Sequence, residues 1–99
     1  MANLEFKDRV YKVVATIKKG MVLSYQEVAR MAGSPRAYRA VGNILNKNRD
    51  NKVPCHRVVK STGEIGGYAF GATKKVAILK KEGIKIKNLP DGRFFVEGF

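Results

Sequence analysis

The single cysteine of this sequence stands directly before its single histidine, in the run Pro54-Cys55-His56-Arg57. A thiol beside an imidazole is the smallest set of groups that makes an activated sulfur nucleophile, because the thiolate attacks while the imidazole takes its proton or lowers its pKa. Neighbouring residues on a strand point to opposite faces, so adjacency alone does not establish contact. A buried structural cysteine beside a hydrogen-bonded histidine is the alternative interpretation.

Charge is the second chemical feature. The 99 residues include 20 lysines and arginines against eight acidic residues, a formal net charge of +12. This excess opposes compact folding by self-repulsion and predicts a polyanionic partner, with nucleic acid favoured over a membrane surface. A basic surface that is merely solvated is the alternative.

Composition also limits the class of protein. We expect one domain over residues 1–99, a monomer, located in the cytoplasm or, in a eukaryote, the nucleus. No apolar run approaches a membrane span, and there is no signal-peptide pattern, so no membrane partner is predicted. One cysteine and one histidine supply too few ligands for a zinc site, so neither a metal nor a cofactor is predicted.

Helical spacing predicts three helices in the first half of the chain. The first covers residues 4–19 and ends at Gly20. Ser24 and Glu27 have the spacing of a capping box and open a second helix that stops at Gly33. Ser34 and Pro35 are expected to start a third helix that runs to residue 46. A short helix, a glycine turn and a basic second helix indicate a helix-turn-helix, although tight helix packing also accounts for the small residues Ala37, Ala40 and Gly42.

The second half predicts less regular structure. Residues 47–52 are expected to form a loop, 57–59 a short strand, 60–67 a turn region and 73–82 a last helix. Val76, Ala77 and Leu79 are expected to face inward on this helix, with Ile78 as a further candidate. Alternation over 84–86, a turn at 88–92 and a strand over 93–96 predict a terminal hairpin. The fold class expected is therefore mostly α with a small β element: a winged helix-turn-helix-like DNA-binding domain with a C-terminal hairpin.

Five blocks in this order resemble the O6-alkylguanine-DNA alkyltransferases, also called methylated-DNA–protein-cysteine methyltransferases. The blocks are Ser24-Tyr25, Arg39-Ala40-Val41-Gly42, Pro54-Cys55-His56-Arg57-Val58, Gly66-Gly67-Tyr68 and Glu82-Gly83. The resemblance covers residues 6–86, the active-site and DNA-binding domain of the family, without the usual N-terminal domain. Residues from 88 onward have no match in it.

The resemblance implies a stoichiometric DNA repair protein that moves an alkyl group from O6 of a flipped guanine to Cys55, irreversibly. It implies that His56 takes the thiol proton, that Glu82 orients the imidazole and that Tyr25 donates a proton to the guanine ring. Asn48 matches an asparagine that bonds the guanine-loop backbone, in a loop shorter than is usual in the family. The implied partner is double-stranded DNA that contains O6-alkylguanine.

The resemblance further implies the residues that bind substrate and DNA. Guanine is expected to contact Tyr25, Leu45, Val58, Ser61 and Tyr68. Arg39 matches an arginine finger that replaces the flipped base in the stack. The remaining DNA contacts are expected from the helix-turn-helix residues Gln26, Arg36, Ala37, Ala40 and Gly42.

Two departures from the family pattern concern the substrate. Ala69 replaces a hydroxyl residue that helps to bind O6 in some members, and Phe70 replaces a small residue or a tryptophan. A bulky Phe70 is expected to narrow the pocket for large O6 substituents.

Two non-catalytic functions compete with repair. An alkyltransferase-like protein binds the lesion without repairing it, and members of that group replace the cysteine, which Cys55 argues against. A plain helix-turn-helix regulator would have no use for the pair Cys55 and His56.

Overall fold

The computed structural model describes residues 5–50 and 52–99. Within that part, four α-helices and two small sheets follow one another. In chain order they are α1 (Phe6–Ala15), β1 (Leu23–Ser24), α2 (Tyr25–Met31), α3 (Tyr38–Lys47), a 3-10 turn (Cys55–Arg57), β2 (Val58–Val59), α4 (Ala72–Lys81), β3 (Ile86–Asn88) and β4 (Phe94–Val96). The predicted mostly helical domain with a terminal hairpin is confirmed.

Helix α1 ends four residues earlier than the sequence predicted. The amide of Thr16 bonds the carbonyl of Val13 and the amide of Ile17 that of Val14, each at 3.0 Å, so the helix closes in a tighter turn. Gly20 has φ 87° but serves the following turn rather than the helix end. The predicted start at Leu4 lies outside the described residues.

The helix-turn-helix begins as predicted. The amide of Glu27 bonds Ser24 Oγ and the amide of Ser24 bonds Glu27 Oε1, both at 3.0 Å, which is a complete capping box. Helix α2 is followed by Gly33, whose φ of 90° suits glycine.

The predicted start of α3 at Ser34 and Pro35 is wrong. The amide of Ala37 bonds the carbonyl of Ser34 at 2.9 Å, so residues 34–37 form a reverse turn, and α3 begins only at Tyr38. Arg36 and Ala37, expected on the helix, therefore belong to this turn.

Strand β1 was missed because two residues carry no periodicity. It pairs in parallel with β2, with Leu23 opposite Val58 and Ser24 opposite Val59. This pairing joins the start of α2 directly to the segment that follows Cys55, and so fixes Tyr25 relative to the cysteine.

The core has two parts. The larger lies between the first three helices and includes Cys55, and the smaller lies under the hairpin between α4 and β2. On α4 Val76 and Leu79 are buried as predicted, but Ala77 is exposed and Lys75 is buried instead. The prediction is therefore correct for Val76 and Leu79 and wrong for Ala77, and it missed Lys75.

The hairpin strands lie slightly later than expected. β3 covers residues 86–88 rather than 84–86, and Ile86 pairs with Val96 in antiparallel register. No helix in the described part of the chain has the length and apolar character needed to cross a membrane.

Candidate active site and nucleic-acid interface

Cys55 opens the 3-10 turn after Pro54, which places its side chain inward. Only 5% of the residue is exposed, yet it faces a cavity of about 200 Å³. We call this space the Cys55 cavity, and its other lining residues are Asn48, Asp50, Val53, His56, Tyr68, Phe70 and Ile78. The sulfur is thus buried in the fold but adjacent to open space in which a small group fits.

Asn48 Nδ2 donates a hydrogen bond to Cys55 Sγ at 3.0 Å. Burial raises the pKa of the Cys55 thiol, while the Asn48 bond and the charge of Lys75 act in the opposite direction. The thiolate is therefore stabilised by two neighbours against the cost of burial.

Glu82 links His56 to Arg57. Its Oε2 lies 3.0 Å from His56 Nε2, and Arg57 donates to both carboxylate oxygens, at 3.0 and 2.7 Å. The Arg57 bond, with help from His56, lowers the pKa of Glu82 to about 2. An ionised Glu82 can only accept a hydrogen bond, so Nε2 carries the hydrogen. In this tautomer of the imidazole, Nδ1 is the nitrogen that can accept a proton.

Two helix ends fix the position of the Glu82 carboxylate. Arg57 also donates from Nη1 to the carbonyl of Ile17 at 2.7 Å, and Glu82 is the residue that ends α4. Arg57 therefore connects the end of α1 to the end of α4 through Glu82.

Lys75 is a site residue that the sequence did not reveal. It is fully buried, and its Nζ donates to the carbonyls of Val58 and Gly67 at 2.6 and 3.1 Å and to Tyr25 Oη at 3.4 Å. Burial lowers the pKa of Lys75 to about 7 and raises that of Tyr25 to about 12. The sequence contained one signal for this burial, because Lys75 lies four residues before the buried Leu79 and hence on the same face of the helix. The other lysines of this helix made the signal hard to recognise.

A second, larger cavity of about 380 Å³ lies between the helix-turn-helix and the turn that follows β2. We call it the α3 cavity. Its lining residues are Tyr25, Gln26, Tyr38, Arg39, Gly42, Asn43, Asn46, Lys60, Ser61, Thr62 and Gly67.

The predicted site residues thus fall into four groups. Cys55, His56, Asn48 and Tyr68 line the Cys55 cavity, and Glu82 contacts His56 from outside it. Another five line the α3 cavity, namely Tyr25, Gln26, Arg39, Gly42 and Ser61. Leu45 and Val58 are buried in the core, and three lie outside both cavities, namely Arg36, Ala37 and Ala40.

Phe70 lies at the edge of the Cys55 cavity as a half-exposed aromatic. Its ring stands 5.4 Å from that of Tyr68, and the cations of Arg49 and Lys74 lie 5.5 and 5.3 Å from its centre. No group of three or more histidine, cysteine or acidic side chains in residues 5–50 and 52–99 is arranged to hold a metal ion.

A family model for the DNA-binding domain of 6-O-methylguanine DNA methyltransferase matches residues 5–84. The chain belongs to this family. The matched range contains Cys55, His56 and Glu82, so the resemblance read from the sequence is confirmed.

Among relatives, the methylated-DNA–protein-cysteine methyltransferase of Kluyveromyces lactis is 40% identical over 83 residues, which are 83% of this chain and 44% of that protein. The chain thus spans less than half the length of this curated relative. The Mycobacterium tuberculosis OGT in complex with DNA is similar over 82% of this chain and 51% of its own, with 40% identity and a TM-score of 0.75.

A third similarity extends over the hairpin. The structure of S. pombe Atl1 in complex with damaged DNA containing O6-carboxymethylguanine matches 98% of this chain and 93% of its own, with 32% identity and a TM-score of 0.86. The winged helix-turn-helix-like fold is therefore shared with structures bound to DNA.

Proposed function

We propose that this protein repairs DNA by moving an alkyl group, methyl above all, from O6 of guanine to Cys55 in a single irreversible turnover. The observation that carries the proposal is the arrangement of Cys55 and His56 on one cavity, with His56 Nε2 3.0 Å from a Glu82 that Arg57 keeps ionised. This is the order of nucleophile, base and orienting group that thiol activation needs.

The proton leaves the thiol toward His56 Nδ1, the ring nitrogen that Glu82 leaves free to accept. Cys55 and His56 share no direct hydrogen bond among the described contacts, so the transfer runs through a water molecule in the Cys55 cavity. The resulting imidazolium faces the carboxylate of Glu82, which stabilises its positive charge.

The thiolate then attacks the alkyl carbon. A C–S bond forms as the C–O6 bond breaks, and the electron pair of that bond passes to the guanine, which takes a proton from Tyr25. Lys75 Nζ lies 3.4 Å from Tyr25 Oη, so the hydrogen bond that it donates stabilises the negative charge left on this oxygen and lowers the cost of the proton transfer. The thioether has no leaving group comparable to guanine, and each molecule therefore acts once.

Duplex DNA containing O6-alkylguanine is the proposed partner. The +12 charge favours the phosphate backbone, and Arg39 lies on α3 at the α3 cavity, next to which a flipped base must pass. The similarity to two structures in complex with DNA supports the same partner.

Incubation with a duplex that contains O6-methylguanine tests the proposal by mass spectrometry. We expect the intact protein to gain one methyl group, located on Cys55 by peptide mapping, in an amount that never exceeds one per molecule. The Cys55→Ser variant is the control and gains none. A wild-type protein that binds this duplex and gains no mass would refute the transfer.

Lesion binding without transfer is the second candidate. The match to Atl1 over nearly the whole chain favours it, since the two methyltransferases named above match a smaller part of the chain. In that case wild type and Cys55→Ser would both prefer the O6-methylguanine duplex over undamaged duplex, and neither would accept the methyl group. A regulator would instead prefer some unmodified sequence.

A further inference from the structure

The C-terminal hairpin lies beyond residue 84, where the match to the family model ends. Its position against the rest of the chain nevertheless brings it next to the α3 cavity. The contact is made through residues 60–62, which we call the 60–62 turn, and through the segment 63–65 that follows it.

Segment 63–65 lies beside β4 and forms an isolated antiparallel bridge to it. The amide of Ile65 bonds the carbonyl of Phe94 at 3.0 Å, the amide of Val96 bonds the carbonyl of Gly63 at 2.8 Å, and Glu64 pairs with Phe95. These main-chain bonds hold the residues immediately after the turn to the hairpin.

Gly63 also packs against the end of the chain. It is buried with φ 90°, and a Cβ built there would lie 3.2 Å from Cβ of Phe99 and 3.4 Å from the carbonyl oxygen of Val96. The chain after β4 thus covers Gly63 so closely that an added Cβ would push against Phe99 and the Val96 carbonyl.

The 60–62 turn itself presents hydrogen-bond donors to the α3 cavity, opposite Arg39. Lys60, Ser61 and Thr62 all line the cavity, and Lys60 Nζ is held at 3.1 Å by Glu64, within the segment that the hairpin fixes. Thr62 Oγ1 accepts a bond from the Glu64 amide at 3.4 Å, which leaves its proton for a ligand. An ammonium, two hydroxyls and a facing guanidinium are a donor set for a phosphate.

We propose that the hairpin is a positioning element for DNA binding: it holds the 60–62 turn as a contact for the phosphodiester backbone of the lesion strand, opposite α3. The inference rests on the proposed partner, duplex DNA, but not on methyl transfer. The hairpin acts through the turn and needs no contact with the reacting atoms.

Two glycines supply a matched pair of variants. Gly63 and Gly92 have φ values of 90° and 91°, so alanine causes the same backbone strain at both. An added Cβ meets Phe99 and Val96 at Gly63, whereas at Gly92 nothing described lies within 4 Å. We therefore expect Gly63→Ala to shift the turn relative to the hairpin and Gly92→Ala to leave this contact unchanged.

Fluorescence anisotropy with a labelled O6-methylguanine duplex measures binding, and transfer from free O6-benzylguanine measures the chemistry without a backbone. We expect Gly63→Ala to weaken duplex binding about tenfold, the loss of about one hydrogen bond to a charged group. Free-base transfer should fall by a smaller factor, because Ser61 is the residue of the turn that is expected to contact guanine itself. Gly92→Ala should stay within about twofold in both assays. The double variant Gly63→Ala, Phe99→Gly should recover part of the lost affinity, because it removes the colliding side chain.

Lys60→Gln tests the turn even if Gly63→Ala does not fold. It should reduce the slope of log K against the logarithm of the salt concentration by about one, the value for a single phosphate contact. An unchanged salt slope in Lys60→Gln, or equal duplex affinities in the two glycine variants, would overturn the proposal. A loss of free-base transfer in Gly63→Ala as large as the loss of duplex binding would also overturn it, because the hairpin would then support the reaction centre itself. A wild-type protein that binds the duplex without transfer would refute only the repair reaction.

Discussion

Arg57 holds both carboxylate oxygens of Glu82, at 3.0 and 2.7 Å, and one of these oxygens also contacts His56. Paired charges of this kind lose much of their hydration, so removing one partner leaves the other buried and uncompensated. The orientation of the imidazole therefore depends on a guanidinium that does not line the Cys55 cavity.

Arg57→Met should destabilise the fold by about 2 kcal/mol and slow methyl transfer, since Glu82 then loses its main hydrogen-bond donor. The effect on acid stability has a definite sign. The pKa of Glu82 is about 2 in the fold against 4.5 in an unfolded chain, so its contribution is present above pH 4.5 and is lost as pH falls toward 2. In Arg57→Met this acid-dependent part should be reduced, as measured by urea unfolding from pH 6 to 2.

Arg93→Met is the matched control for stability. Arg93 makes an equally short contact with Asp91, at 2.7 Å, but both side chains are half exposed to water. We expect little or no change in the free energy of unfolding, because water screens an exposed ion pair. Equal losses in the two variants would show that the Glu82 pair is no more than a surface ion pair.

Asn48→Ala should raise the pH at which Cys55 becomes reactive. The Asn48 bond to Sγ lowers the thiol pKa, so its loss leaves the effect of burial less opposed. The rate of alkylation by iodoacetamide, followed from pH 6 to 10, should keep its shape but move its midpoint upward.

The midpoint is the quantity to compare, because a smaller side chain at position 48 also changes access and hence the absolute rate. Asn46→Ala is the control: Asn46 lies two residues away and lines the other cavity. A midpoint that moves in Asn46→Ala and not in Asn48→Ala would contradict the role given to the Asn48 hydrogen bond.

The sequence was sufficient for the parts of this site that have a local signature. The capping box at Ser24 and Glu27 follows from residue types alone, and the motif around Cys55 identified the family. The sequence was insufficient where hydrogen bonds between distant residues or within an irregular turn determine where an element begins. The reverse turn at Ser34 delays α3, and β1 exists only because β2 lies beside it.

Lys75 shows the limit most clearly. Among 20 basic residues, nothing local distinguishes a lysine that is fully buried from one in solvent. The distinction comes from two carbonyls that distant segments bring to its amino group, those of Val58 and Gly67. Periodicity predicts which face of α4 is inward but does not place a lysine there, because such residues are rarely buried without partners.

Lys75→Met should change how stability depends on pH between 7 and 8.5. The pKa of Lys75 is about 7 in the fold against 10.5 in an unfolded chain, so in this window the unfolded chain binds the extra proton. Its contribution makes the wild-type fold more stable as pH rises, by up to about 1 kcal/mol per pH unit. The variant should lack this slope in urea unfolding experiments.

Lys74→Met removes the same charge from an exposed neighbour and controls for the net charge of the protein. Its slope should match that of wild type. The experiment stops at pH 8.5 because burial raises the pKa values of Cys55 and Tyr25. At higher pH these two groups make the fold less stable as pH rises, which opposes the effect of Lys75. Parallel slopes for wild type and Lys75→Met would mean that the buried amine does not titrate in this range.

Arg39→Ala separates base extrusion from chemistry. Arg39 is exposed on α3 and lines the α3 cavity together with Tyr25, so it can fill the space that a flipped guanine vacates. Only duplex DNA requires extrusion, which costs a few kcal/mol, and we expect transfer from duplex to fall about tenfold to a hundredfold. Transfer from free O6-benzylguanine should change by less than about twofold.

Arg36→Ala distinguishes this role from simple attraction to phosphate. Arg36 carries the same charge but lies in the 34–37 turn, outside both cavities. Its loss should weaken binding to damaged and undamaged duplex alike and lower the salt slope by about one, because a phosphate contact carries no information about the lesion. If both arginine variants reduced transfer from duplex in proportion to their affinity, Arg39 would be a phosphate contact as well, and the extruded base would have to be replaced by another side chain.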